Sequence, residues 1–123
     1  MTGLGILQHI IDILESNTEL TEIVNNKIFV QIAEENTSFP FVVLKRESMQ
    51  VEYIKNNAVQ DNVEISINIA TTTYKQAVQI AELIRQELEL YTDTTIKQCR
   101  ITNISEDYFE NAFVQVLQFN III

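Results

Sequence analysis

Few side chains in this 123-residue sequence are equipped for covalent or proton-transfer chemistry. There is one histidine, His9, and one cysteine, Cys99. A thiol beside an imidazole makes a nucleophile, but Cys99 stands in an apolar alternating stretch, far in sequence from the helical pattern that holds His9. A structural cysteine is the expectation. His9 and Asp12 lie three apart, a spacing that can pair a base with a carboxylate, yet no third group accompanies them and a solvated helix face is the plainer reading. Lys45, Arg46 and Glu47 are the other reactive neighbours. A small enzyme on an α+β sheet would need such groups to converge in a polar pocket. Glu106, Asp107 and Glu110 form an acidic stretch around Tyr108 and Phe109, but their spacing does not match a calcium loop, and a solvated turn is expected.

The glycines are Gly3 and Gly5 alone. A phosphate-cradling P-loop, a dinucleotide-binding turn and a nucleophile elbow all need glycine where the backbone turns sharply or touches the ligand, so none can lie beyond Gly5. One cysteine excludes an intrachain disulfide and a thiolate metal cluster. The sequence thus predicts no catalytic residue, no metal site and no cofactor. Lys+Arg total 8 against 17 Asp+Glu, a net charge of −9, with a pI near 4.4. That balance opposes tight binding to a phosphate backbone or an anionic membrane surface. No apolar run approaches the roughly 18 residues of a membrane span, and the start lacks a basic-then-apolar leader. A reduced, cytoplasmic setting is expected.

The elements that hold these residues read as one domain, residues 1–123, without repeats or linkers. Residues 4–16 have helical periodicity, with Leu4, Leu7, Ile10, Ile11 and Leu14 on one face and Ile6 and Ile13 extending it. A short helix over 19–24 follows, capped by Asn17 or Thr18 and ended by Asn25-Asn26, which tolerate the left-handed conformation. Asn56-Asn57 reads as the same device. Strands are predicted over 27–32, 41–47 and, by weak alternation, 49–54, with a polar loop or hairpin tip over 55–62. The apolar start of the second strand (Phe41 to Leu44) predicts cover on both faces there. Val63, Ile65, Ile67 and Ile69 then alternate with polar partners in the clearest strand. Thr73 with Gln76 fits a capping box for a helix burying Ala77, Ile80, Ala81, Ile84, Leu88 and Tyr91. Leu83 and Leu90 fall off that stripe and either pack within the chain or serve a subunit interface. Strands over 96–104 and 113–121 close the chain, with residues 105–111 as the turn. Short connections favour antiparallel pairing, and the helix can make one crossover, right-handed if it joins parallel strands. The fold class is α+β, two layers, a mainly antiparallel sheet with two main helices on one face.

Three segments, in their order, carry a family resemblance. They are Lys27-Ile28-Phe29 after an amino-terminal helix; Phe39-Pro40-Phe41-Val42-Val43 opening the second strand; and the alternating strand ending Ile69-Ala70, followed by Thr73-Tyr74, Ala77, Ala81-Glu82, Ile84-Arg85 and Leu88. From about Leu4 to Phe119 the chain resembles the tail-completion, or tail-terminator, proteins of long-tailed bacteriophages and prophages. It departs from them at Ala33-Glu34-Glu35-Asn36 and at Asn56-Asn57, where family members often carry proline or glycine.

The resemblance implies a non-enzymatic virion subunit that forms a homo-oligomeric ring, usually a hexamer, at the head-proximal end of the tail. The ring caps the polymerised major tail protein, meets the head-completion protein, and lets DNA pass through its lumen without specific binding. A ring of six would carry six times −9, which either keeps a channel repulsive to DNA or merely aids solubility. No membrane is involved, and before assembly the subunit would sit in the host cytoplasm. Candidate interface residues are Ser48, Gln50, Glu52, Lys55, Asn56 and Asn57 in the hairpin, Leu83 and Leu90 on the helix, and Ile121, Ile122 and Ile123 at the carboxy end, where three successive isoleucines cannot all point inward. The alternative is a small bacterial protein-binding module without catalysis.

Overall fold

Alternating isoleucines and valines build the centre of the molecule. The structure, a computed structural model, describes residues 2–55 and 58–123. A 3₁₀ turn (Gly3–Gly5) leads into α1 (Ile6–Glu15), α2 (Thr18–Val24), β1 (Ile28–Val30), β2 (Phe41–Ile54), β3 (Ala58–Thr71), α3 (Tyr74–Leu88), β4 (Gln98–Phe109) and β5 (Ala112–Ile122). The strands form one sheet in the order β1-β2-β3-β5-β4. Every pairing is antiparallel except β1 with β2. β3 and β4 therefore run the same way on either side of β5, and α3 makes the crossover between them.

The helices share one face of the sheet. Val63, Ile65, Ile67 and Ile69 of β3, Leu117, Phe119 and Ile121 of β5, and Val42 and Leu44 of β2 meet Ile6, Ile10 and Leu14 of α1, Leu20 and Val24 of α2, and Ile80, Ile84 and Leu88 of α3 in a single core. This is the expected two-layer α+β architecture. Leu4 belongs to the 3₁₀ turn and stays exposed, so the buried stripe of α1 starts at Ile6. No helix among the described residues is long and apolar enough to cross a membrane.

Local signals set the helix ends. Asn17 caps α2, its Oδ1 accepting from Leu20 N at 3.0 Å. Thr73 caps α3, its Oγ1 accepting from Gln76 N at 3.3 Å. Asn25 and Asn26 adopt φ of 53° and 58°, the left-handed stop that asparagine supplies in place of glycine. Asn56 and Asn57, expected to do the same, lie outside the described residues.

Four expectations about strands are corrected. The segments 41–47 and 49–54 are one strand, β2, bent by a bulge at Glu47 between Arg46 and Ser48. The extra residue reverses the alternation, so Val42, Leu44 and Arg46 share a face with Met49 and Val51, which is why the pattern looked broken. Residues 58–62, read as loop, belong to β3 and continue the ladder to Ala58. The acidic stretch 105–109 belongs to β4, and the turn is Glu110-Asn111 alone, at φ of 49° and 66°. Two positive φ angles in a two-residue hairpin loop are the type I′ geometry that matches strand twist. The first strand is also shorter than expected and runs parallel to its neighbour. Val43, on the face away from the helices, is buried beside Phe29, as cover on both faces requires.

Candidate functional site

The reactive side chains do not converge. Cys99 faces the core, and burial pushes its thiol up to about 12. His9 does not pair with Asp12, which accepts from Gln8 Nε2 at 3.0 Å. Its Nε2 lies 2.8 Å from Asp93 Oδ2, in the loop after α3. A carboxylate only accepts, so Nε2 carries the hydrogen. Asp93 Oδ1 also accepts from Thr95 N and Ile96 N, both at 2.7 Å. Partial burial works against the Asp93 charge, but hydrogen bonds from Ile96, His9, Thr95 and Tyr91 outweigh it and hold the carboxyl at about 2. The arrangement is a clamp between α1 and a loop. Sequence spacing missed it because its partners are 84 residues apart.

Lys45, Arg46 and Glu47 diverge across the bulge. Lys45 is exposed on the outer face, Arg46 Nη1 donates to the carbonyls of Gly3 and Leu4 at 3.4 and 3.2 Å, and Glu47 accepts from Ser66 Oγ at 2.6 Å. No group of three or more potential metal ligands clusters among the described residues.

The surfaces are more informative. Pairing of β3 with β5 ends at Asn62 and Ile122, and pairing of β1 with β2 ends at Leu44. Beyond these points β2 and β3 pair only with each other, so residues 51–54 and 58–60 form a two-stranded arm. At ~3.3 Å per residue it projects about 13 Å. Its outer face carries exposed Glu52, Lys55 is exposed at the tip, and Ser48 and Gln50 are exposed on the same face at its base, still within the sheet. Its helix-side face continues the apolar face of the core with Val51, Tyr53 and Val59, yet no helix among the described residues covers it. Tyr53 is 79% exposed and sits opposite Val59 in the register. The hairpin is therefore amphipathic rather than polar. The sequence signal was the apolar set Met49, Val51 and Tyr53, hidden by the bulge.

The remaining interface candidates divide. Leu83 is buried in the core. Asn17 Nδ2 donates to Glu87 Oε1 at 2.8 Å one turn farther along α3, so that flank of the helix meets α2, and intrachain packing explains Leu83. Leu90 is 72% exposed and held at φ 62°. Ile121 is fully buried, which corrects its place among the interface candidates. Ile122 lies half-buried on the outer face, and Ile123 packs half-buried against the core. The carboxy end is also not a free edge. β5 is paired on both sides, and Ile123 exchanges backbone hydrogen bonds with Asp61.

The outer face of the sheet has two characters. Toward the arm it is a polar ladder, where Asn120 Nδ2 donates to Asn62 Oδ1 and Glu64 Oε1 at 2.5 and 2.6 Å. At the other end Phe39 stacks on Phe41 at 5.4 Å and Phe29 meets Phe41 edge-on at 6.5 Å.

Residues 8–123 match the family described as Tail completion protein gp17. Among solved structures, a chain of the virion of a native gene transfer agent particle superposes with a TM-score of 0.78 at 12% identity, covering 92% of this chain and 90% of that one. At that identity the likeness is one of fold. No match was found among curated protein sequences.

Proposed function

The chain belongs to the gp17 family of tail completion proteins, structural proteins of the phage-type tail, and on that premise we propose that six copies form a ring closing the head-proximal end of the tail tube. The role is structural, without catalysis. One side of the ring binds the last ring of the major tail protein; the other meets the head-completion protein, and DNA passes through the lumen.

The observation that carries this reading is the arm. An isolated two-stranded ribbon is marginal in water, and Val51, Tyr53 and Val59 present exposed apolar surface that no helix among the described residues covers. A neighbouring copy supplies the missing cover. Contact between unlike surfaces of successive copies propagates around a ring and stops when it closes, which is how a terminator ends growth. Leu90, Gln50, Glu52 and Lys55 lie on surfaces open to the same neighbours, and Ile122 and Ile123 add a half-buried apolar margin. The net charge of −9 favours a lumen that does not grip DNA.

The test is electron microscopy of the purified protein alone and mixed with its major tail protein. Rings, and caps at one end of each tube, are expected. Exchange of Tyr53 and Val59 together for serine should abolish both while leaving a folded monomer. Decoration along the tube sides, or capped tubes from the doubly substituted protein, would contradict the proposal, as would normal particles from a strain lacking the gene.

A further inference from the structure

At the end of the sheet opposite the arm, a hollow of about 290 Å³ opens between the start of α3 and the β4–β5 hairpin. Tyr74, Tyr108 and Phe113 wall it, with Glu106 and Asp107 beside them. The rings of Tyr108 and Phe113 lie 4.9 Å apart and tilted by 57°, and Tyr74 meets Phe113 edge-on at 6.1 Å. Tyr74 and Tyr108 are 49% and 58% exposed, so core packing does not account for them.

Glu106 is positioned among these rings by its own bonds. Its Oε2 accepts from Tyr74 Oη and from Gln115 Nε2, each at 2.7 Å. Its Oε1 has no hydrogen bond among the described residues. The bonds from Tyr74 and Gln115 lower the Glu106 carboxyl below its ordinary range, keeping it ionised. Aromatic faces around a carboxylate with an open acceptor form a receptor for a cation. The volume is small for a drug-sized ligand and fits one planar cation with its stem.

We infer that this hollow is a socket for an arginine side chain presented by a different protein with a basic contact surface. Guanidinium is flat, stacks on aromatic faces and is less strongly hydrated than ammonium. A second copy of this chain is a poor source. Arg46 donates to the Gly3 and Leu4 carbonyls, Arg85 to Glu89 at 2.7 Å, and Arg100, once the Gln98 amide is turned to present its oxygen, to that oxygen at 2.9 and 2.7 Å. Those are all the arginines the chain has. The net charge of −9 also draws in a basic partner. The site is independent of the ring, and isolated protein suffices to test it.

The full-length chain is titrated by NMR with N-acetyl-arginine amide and, in parallel, with N-acetyl-citrulline amide, which keeps the shape without the charge. Arginine should give saturable shifts of the Tyr74, Tyr108 and Phe113 rings that weaken in high salt, and citrulline should give none. Tyr108→Ala and Glu106→Gln should each weaken binding about two- to fivefold with little change in melting temperature. If Tyr108→Ala fails to fold, Glu106→Gln decides alone. Equal shifts with citrulline, no saturable shift up to the solubility of the probe, or shifts confined to other residues would overturn the assignment. So would self-association of the wild-type chain that Glu106→Gln abolishes, because the socket would then belong to a second copy.

Discussion

Replacing Asp93 by asparagine removes one charge while keeping an Oδ1 acceptor for Thr95 N and Ile96 N. The carboxyl falls from 3.8 to about 2 in the folded chain. At about 1.36 kcal/mol per pKa unit, that drop corresponds to at most ~2.4 kcal/mol. The side chain is 22% exposed, and solvent screening weakens a partly open pair, so about 1–2 kcal/mol is expected at neutral pH. Hydrogen bonds to a charged group exceed neutral ones by about 1 kcal/mol, which agrees. For a domain of this size the loss lowers the melting temperature by about 4–10 °C. The pH dependence has a definite sign. A carboxyl depressed on folding stabilises fully above its unfolded value of 3.8 and ceases to do so as pH falls through about 2. Urea denaturation of wild type and Asp93→Asn should therefore show a constant gap from pH 7 to about 5 that closes toward pH 2. Equal stability at pH 7, or a gap undiminished at pH 2, would refute the clamp between His9 and Asp93.

One further substitution and one thiol reagent test other features. Leu90 occupies the left-handed region at φ 62°, which costs a branched side chain roughly 1–2 kcal/mol. Leu90→Asn should raise stability in thermal melts by about 0.5–1 kcal/mol and, if Leu90 serves the ring contact, reduce ring yield in micrographs. Cys99, buried with its thiol raised to about 12, should react with a thiol reagent only as fast as the chain unfolds. Rapid labelling of the native protein would place it elsewhere than the core. The serine variants of the arm, scored by micrographs, and the arginine titration of the aromatic hollow complete the set.

Much of the fold was legible because burial imposes period. Ile6, Ile10 and Leu14 mark a helix, and Val63 to Ile69 a half-buried strand, whatever lies across from them. Caps were legible for the same local reason: Asn17, Thr73 and Asn25-Asn26 satisfy or end the backbone nearest them. The order of such segments also carried the family resemblance. What failed was continuity. A bulge at Glu47 reverses which side chains face inward, so one strand read as two, and Val51 and Tyr53 fell out of step with Val42 and Leu44.

The candidate site was less legible because it is made of absences and meetings. That Tyr53 and Val59 are uncovered depends on where the helices stop, which no local pattern records. Glu106 finds Tyr74 across 32 positions, and His9 finds Asp93 across 84. Ile121 and Leu90 are both apolar, yet one is sealed between β3 and β4 and the other stands in water. The sequence by itself determined the class of the molecule, the segments able to form elements, and the lack of glycine-dependent ligand loops. Each follows from local periodicity, steric rules and composition. Tertiary structure alone decided which apolar groups remain for a partner, because exposure depends on distant segments packing around a residue.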